Sequence, residues 1–464
     1  MSKERRKLAR WLGAVHLTLA AVALGAAVRA ESMELEMWTT EAQPERQAAI
    51  GYLMDAFAAF HDDVRVQVVA FDENAISAAL AAARREGGAP DIVHAGADTI
   101  IALAARGALD RGLATAIMDR LGPERFALGA RRMLRDAATG AFDGVPFHGW
   151  LQGLVYRADW FAEAGLPPPR TWEDILTAAE RLHDPARGRY GILIGTEADS
   201  YAQQVFTHLA LGNGVRIIDR AGRLVFDSPE TVETLAFVKQ LAAFAPPGAH
   251  TPRARDYYLQ GRLAMMFYST FIMDDLALPE IAADSLTGAN FSALEGAAFD
   301  PDLLSNTRTV TRITNRRPAS FGAVSALGLF ATEDPARRAA VARLVLFLFN
   351  PDVYIAWLHM APGGMLPVLP EVANEDMLYR DLTGVLEHYG RARLKAILQG
   401  MDGIETFGAV SEVRRPEASV ILDGNIIGEM VHRVIHEGMP PADAVSRASA
   451  RMRALLAQQG RSLR

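Results

Sequence analysis

The stretch LEMWTTEAQPERQAAIGYLMDAFAAF, residues 35–60, changes its hydrophobic period half-way along. Leu35 and Met37 alternate with Glu34 and Glu36, the period-2 pattern of a half-buried strand. Beyond Pro44, the residues Ile50, Leu53, Met54, Phe57 and Phe60 fall on one face of a helix, with the proline near its start where a missing N–H is harmless. Trp38, Thr39, Thr40 and Glu41 stand between the two, where the strand ends. The same alternation continues downstream. VRVQVVAF (64–71) reads as a strand and AISAALAAARREGG (75–88) as a helix stopped at Gly87-Gly88; Ile92-Val93 follows as a short strand, then a helix over 98–106 closed by Gly107. Strands alternating with helical crossovers of this length predict a parallel sheet, hence a three-layer α/β lobe.

A second series begins near Val145. VPFHGWLQGLVYR (145–157) predicts a strand pair, followed by the helix DWFAEAGL and the loop PPPRTW. Thr171 opens an amphipathic helix through Ile175, Leu176, Ala179 and Leu182, with a capping box to Asp174. RYGILIG is a strand, and helices follow over 201–212 and 229–244. The polar, β-prone RTVTRIT (308–314) is expected to cross between lobes. FGAVSALGLF (321–330) is a buried strand, and DPARRAAVARLVLFLFN (334–350) is strongly helical. SVILDGNIIGEMVHRVIHEG (419–438) and ADAVSRASARMRALLAQ (442–458) read as two closing helices.

The 464 residues are 50% hydrophobic and 22% charged, enough for a substantial core. With no cysteine, disulfides, thiolate catalysis and thiolate metal sites are excluded. MSKERRKLAR is basic, and an apolar run over 11–28 ends in Val28-Arg29-Ala30, the pattern of a signal peptide cleaved after Ala30. An uncleaved anchor is the alternative. Arg5-Arg6 fits either a twin-arginine or an ordinary export signal. Losing residues 1–30 removes six Lys/Arg and one Asp/Glu, so a net charge of −7 becomes −12. Such a surface argues against nucleic acid as a partner. Nothing after the N-terminal run reaches the ~20 apolar residues of a membrane span.

GxSxG, HExxH, GxxxxGK[ST] and calcium-loop patterns are all missing. His432 and His436 lie four apart on a helix without a third ligand, which makes a solvated face the expectation and a metal site not. Trp160 and Trp172 sit inside helical apolar patterns and are expected in the core. Trp38 stands at a strand's carboxyl end, where ligands bind in parallel α/β lobes. Asp98 also follows a strand, as a helix cap or a ligand contact. His148 and Trp150 interrupt a strand-like stretch at the presumed lobe boundary, and Gly149 and Gly153 would leave a face of the Trp150 ring open. Aromatic faces beside carboxylates and hydroxyls suit a sugar, which has an apolar CH face and a polar rim.

Taken in order, several segments resemble a known family: residues 35–60, GGAPDIVHAGADTIIALAARGALD, GVPFHGWLQGLVYRADWFAEAGLPPPRTWEDI, QGRLAMMFYSTFIMDDL, FGAVSALGLF, DPARRAAVARLVLFLF and PGGMLPV. The family is the extracellular solute-binding proteins of ATP-binding-cassette importers, in the maltose-binding-protein-like carbohydrate branch. The resemblance implies an α/β fold of two lobes with a hinge and an interlobe ligand cleft. It implies lobe 1 from 31–149 and 306–349, and lobe 2 from 150–305 and 350–464. It implies a monomeric periplasmic protein that takes a small carbohydrate, works with membrane permease subunits and needs no cofactor. By position, Thr40, Glu41, Asp98, Trp150, Tyr201, Tyr268, Ser269, Phe271, Gly363, Gly364 and Met365 match ligand-facing places of the family. The chain departs from the family over 284–320, which is longer and arginine-rich. Arg308, Arg312, Arg316 and Arg317 read either as a solvated loop or as recognition of an anionic sugar derivative. A secreted enzyme acting on a sugar derivative and a binding protein serving a chemoreceptor are the alternatives.

Overall fold

The computed structural model describes residues 32–73, 75–278, 300, 302–411 and 413–458. The expected signal peptide over 1–30 and residues 284–299 of the expected long segment over 284–320 lie outside the described residues. β1 (Met33–Thr39) buries Leu35 and Met37 and leaves Glu34 exposed, as its alternation requires. It pairs in parallel with β2 (Val64–Ala70) on one side and β3 (Ile92–Gly96) on the other. The intervening helices Pro44–Phe60 and Ile76–Glu86 pack their apolar faces on this sheet, and the second ends at Gly87 in the left-handed conformation.

The sheet continues through two long strands, β4 (Val145–Arg157) and β9 (Pro318–Leu329), to β6 (Leu263–Ser269) and β5 (Tyr190–Leu193), in the order β2-β1-β3-β9-β4-β6-β5. β4 and β9 are antiparallel to each other and each belongs to two cores. Val145, Phe147 and Leu151 of β4 lie in the core of the first lobe, and Leu154 and Tyr156 in that of the second. On β9, Val324, Ala326, Leu327 and Leu329 face the first core, while Ala319 and Phe321 face the second. The architecture is therefore two-lobed, with two strands passing between the lobes.

Several expectations are corrected. Residues 145–157 form one strand of 13 residues with an irregularity between Pro146 and His148, not a strand pair. Gly149 and Gly153 are points of close approach: a Cβ on Gly149 would stand 2.4 Å from the Ala323 carbonyl oxygen, and one on Gly153 2.3 Å from the Thr309 methyl. The stretch 308–314 does not cross. It divides into β7 (Thr307–Val310), which pairs with β4, and β8 (Ile313–Thr314), which pairs with β9, and Val310 and Ile313 both lie in the second core. The boundary at residue 350 is displaced as well. The helices Pro351–Leu358 and Val385–Leu398 belong to the first core, where Trp357 and Tyr354 close on Phe147 at 5.0 and 5.5 Å between ring centres.

Trp160 and Trp172 are buried in the second core, as their helical patterns indicated, and Trp172 stacks on Phe237 at 4.2 Å. The capping box of Thr171 and Asp174 is present. Residues 419–438 break into Glu417–Asp423 and Ile426–Ile435, because Asn425 takes the left-handed conformation with φ at +48°. The last helix, Pro441–Gln458, stays packed to Leu456. No single helix among the described residues is long and apolar enough to cross a membrane.

Candidate functional site

The turn after β1 is held from within. Trp38 is buried, its indole N–H donates to the Glu36 carboxylate, and its ring leans on Phe71 at 4.4 Å. Its expected place at the ligand is therefore replaced by a place in the core. The Thr39 hydroxyl accepts the Glu41 N–H at 3.1 Å and sits 2.9 Å from Nδ1 of His94. Thr40 is half-buried and donates its N–H to the His94 carbonyl at 3.3 Å. The buried Glu41 carboxylate accepts from Arg46, in the first turn of the following helix, at 2.7 Å.

His148 meets His94 beneath this turn, Nε2 to Nε2 at 3.0 Å. His94 stands edge-on to Phe147 and Trp357. Burial holds the His94 imidazole down to about 4, against the pull of Glu41. Burial, then His94 and Arg46, hold His148 well below the ordinary histidine range. Both rings are neutral at physiological pH. Ligand-type atoms of Glu41, His94 and His148 all lie within 4.8 Å of one another. His94 is absent from the sequence-based candidates; its only signal was one imidazole inside the otherwise apolar strand DIVHAG.

The second group of candidates gathers where β4 passes between the cores. Trp150 is half-buried, with one edge-to-face contact to Phe321 at 6.0 Å. In the β4–β6 register, Gln152 faces Ser269 and Gly153 faces Tyr268, both half-buried. Arg255 bonds the Tyr268 hydroxyl at 3.2 Å and the Asp275 carboxylate at 3.0 Å. Phe271 is 38% exposed. Its ring lies on Gly364, where a Cβ would stand 2.1 Å from Cε1. Gly363, at φ +81°, meets the Thr270 carbonyl just as closely, so this double-glycine loop lies flat on the turn after β6. β10 (Leu366–Pro367) then anchors the loop to Gly149 and His148 of β4. Met365 points into the first core and is buried.

Tyr201 is not part of that surface. It is 2% exposed and donates its hydroxyl to the Phe267 carbonyl at 2.6 Å. Asp98 lies in the first turn of the helix Ala97–Ala105 but makes no capping bond. The Thr406 hydroxyl approaches it at 3.4 Å, and burial pushes its carboxyl up to about 6, with Asp423 adding to the rise. Two further polar residues escaped the sequence reading. Asp274, in the helix Ile272–Ala277 beside Phe271, has one buried oxygen without a partner. Its carboxyl is pushed up to about 7, by burial first and then by Asp275 and Asp381, against the pull of Arg46. Gln152, fully buried two residues beyond Trp150 and so on the same strand face, leaves both amide atoms unpartnered. Three of the four arginines over 308–317 are otherwise engaged: Arg316 pairs with Glu230 and Glu233, Arg317 with Glu405, and Arg308 bonds backbone carbonyls.

Residues 41–293 match the sequence family of bacterial extracellular solute-binding proteins. The chain belongs to that family. A putative ABC transporter periplasmic-binding protein of Escherichia coli K12, YcjN, is 26% identical over 404 residues, which cover 87% of this chain and 88% of the relative. Among solved structures, the sugar-binding protein MalE of Xanthomonas citri superposes with a TM-score of 0.70 at 18% identity, covering 92% of this chain and 98% of the other. The cyclic α-maltosyl-1,6-maltose binding protein of Arthrobacter globiformis gives 0.66 at 17% identity, covering 92% and 100%. Both have the two-lobed fold seen here. In this solute-binding protein the half-buried aromatic surface and the unpartnered Asp274 oxygen lie around the crossing strand β4 and its neighbour β6, where the two cores meet.

Proposed function

We propose that this solute-binding protein captures a carbohydrate or sugar derivative between its lobes and delivers it to the permease subunits of an ABC-type importer. One observation carries the reading. Trp150 is a tryptophan held only half-buried on the strand that passes between the two cores, with Tyr268 half-buried and Phe271 exposed nearby on the β6 side. Such rings offer flat apolar faces to the CH side of a sugar, and Ser269, Thr40, Asp98 and Asp274 offer partners for hydroxyls. The solved relatives named for sugars and the periplasmic-binding relative of E. coli support the same reading. Because Arg316 and Arg317 are committed to internal ion pairs, a neutral sugar or polyol fits better than an anionic one.

The binding set is then Trp150, Tyr268, Ser269 and Phe271, with Gly363 and Gly364 keeping the adjoining loop low. The protein performs no chemistry of its own, acts as a monomer, and is exported with cleavage after Ala30. Lobe 1 takes the described residues before β4, the later part of β9 and the helices through 398; lobe 2 takes the segment from the end of β4 through β6, the first half of β9 and the C-terminal helices. The lobes close by bending at β4 and β9, as in other hinged binding proteins. A thermal-shift screen of the mature chain against sugars, polyols, amino acids and oligopeptides tests the ligand class. A ligand at ~100 times its Kd should add about 2.7 kcal/mol of stability. Shifts with amino acids or peptides and none with any sugar or polyol would sink the proposal.

A further inference from the structure

Glu41, His94 and His148 come from three separate segments, the turn after β1, the middle of β3 and the start of β4. All three are buried, at 7%, 0% and 3% exposure. We propose that they form a zinc site, with two imidazole nitrogens and one carboxylate oxygen as ligands and a fourth position open to water or to a ligand group. This goes beyond sugar capture and does not depend on it.

The geometry fits in three respects. First, the two Nε2 atoms are 3.0 Å apart and the carboxylate lies within 4.8 Å of both rings. Two zinc ligands at ~2.0–2.1 Å in a tetrahedron stand about 3.3 Å from each other, so the histidine pair is near that spacing already and the carboxylate has at most about 1.5 Å to close. Second, outer contacts that orient metal ligands are in place for His94 and Glu41, while Nδ1 of His148 is buried without a partner. The Thr39 hydroxyl holds Nδ1 of His94 at 2.9 Å, which turns Nε2 towards His148 and Glu41. Arg46 grips one oxygen of Glu41 at 2.7 Å and leaves the other available. Third, the ligand types suit the ion: imidazoles with one carboxylate favour zinc over calcium or magnesium, which prefer all-oxygen cages. A hydrogen-bonded histidine pair would by itself explain the 3.0 Å contact. It would not explain why a buried carboxylate converges on the same point.

The test uses the mature full-length chain, stripped with chelator and then given zinc. Expected are one zinc per chain retained through desalting, a raised Tm, and a tetrahedral absorption spectrum when cobalt(II) replaces zinc. His94→Gln, His148→Gln and Glu41→Gln should each weaken zinc by more than the ~10–100-fold typical of losing an outer contact, and Thr39→Val by an amount within that range. His436→Ala, which alters the pair formed by half-buried His432 and exposed His436 at the end of the helix Ile426–Ile435, should leave binding intact. Failure of the wild-type chain to retain zinc, or an octahedral cobalt spectrum, would overturn the proposal without any variant needing to fold. Retention unchanged in folded His148→Gln, or lost only in His436→Ala, would overturn it too.

Discussion

Truncating Trp150 separates a ligand wall from a core residue. Trp150→Ala removes a ring that is half-buried and has one aromatic neighbour, Phe321 at 6.0 Å. Truncating a fully buried tryptophan costs about 3–5 kcal/mol. A half-buried ring loses roughly half the apolar burial, and its single edge-to-face contact is worth about 0.5–1.5 kcal/mol, so a stability loss of about 1.5–2.5 kcal/mol is expected. Sugar affinity should fall by about 2 kcal/mol or more, the cost of losing an aromatic anchor, or about thirtyfold in Kd. Trp357 supplies the internal reference: it is 0% exposed among Phe147 and His94, so Trp357→Ala should cost the full core amount. Its folded fraction should keep the wild-type Kd. Urea melts and titration calorimetry on both variants, with the tightest sugar of the screen, give the two numbers. If Trp150→Ala matched Trp357→Ala in stability and bound sugar normally, Trp150 would be a core residue and the site would lie elsewhere.

Tyr201→Phe removes a buried hydroxyl bonded to the Phe267 carbonyl; urea melts should register about 1 kcal/mol lost, with sugar affinity unchanged by calorimetry. Asp274 titrates near 7 in the folded protein and near 3.8 unfolded, so the native state holds the extra proton between those values and stability falls as pH rises through that window. Asp274→Asn should flatten this slope and raise stability at pH 7 by about 1–3 kcal/mol, checked by urea melts from pH 4 to pH 8; an unchanged slope would count against the buried carboxyl. Gly364→Ala places a methyl where the Phe271 ring lies, so the ring must swing away. Calorimetry should show weakened sugar binding, while melts show little change because Phe271 is already 38% exposed.

The first lobe was legible because its strands keep period 2 and its helices period 3.6, and both survive in β1 and in the helix Pro44–Phe60. Periodicity reports which face is covered, not what covers it. Hence residues 350–398 were given to the second lobe by the resemblance alone, whereas the helices Pro351–Leu358 and Val385–Leu398 have their buried residues in the first core. Gly149 and Gly153, expected to leave a face of the Trp150 ring open, are the places where β9 and β7 approach an unbroken strand. At the proposed site, Trp150 was singled out by its glycine neighbours and its place at the lobe boundary, and Tyr268 and Phe271 only by their position in the family resemblance. Tyr201 matched the same positional pattern but its hydroxyl satisfies a backbone carbonyl within the core. His94 and Asp274 were missed because their significance lies in partners more than fifty residues away, Thr39 and His148 for the one, Arg46 and Asp381 for the other.

Small-angle scattering of the mature chain, alone and saturated with its tightest sugar, tests most directly whether that sugar is held between the lobes. Two lobes joined by β4 and β9 and closing on a ligand should give a smaller radius of gyration with sugar than without, and Trp150→Ala should need correspondingly more sugar for the same compaction. One-to-one binding measured by calorimetry with an unchanged radius would contradict capture by closure and place the sugar outside the cleft.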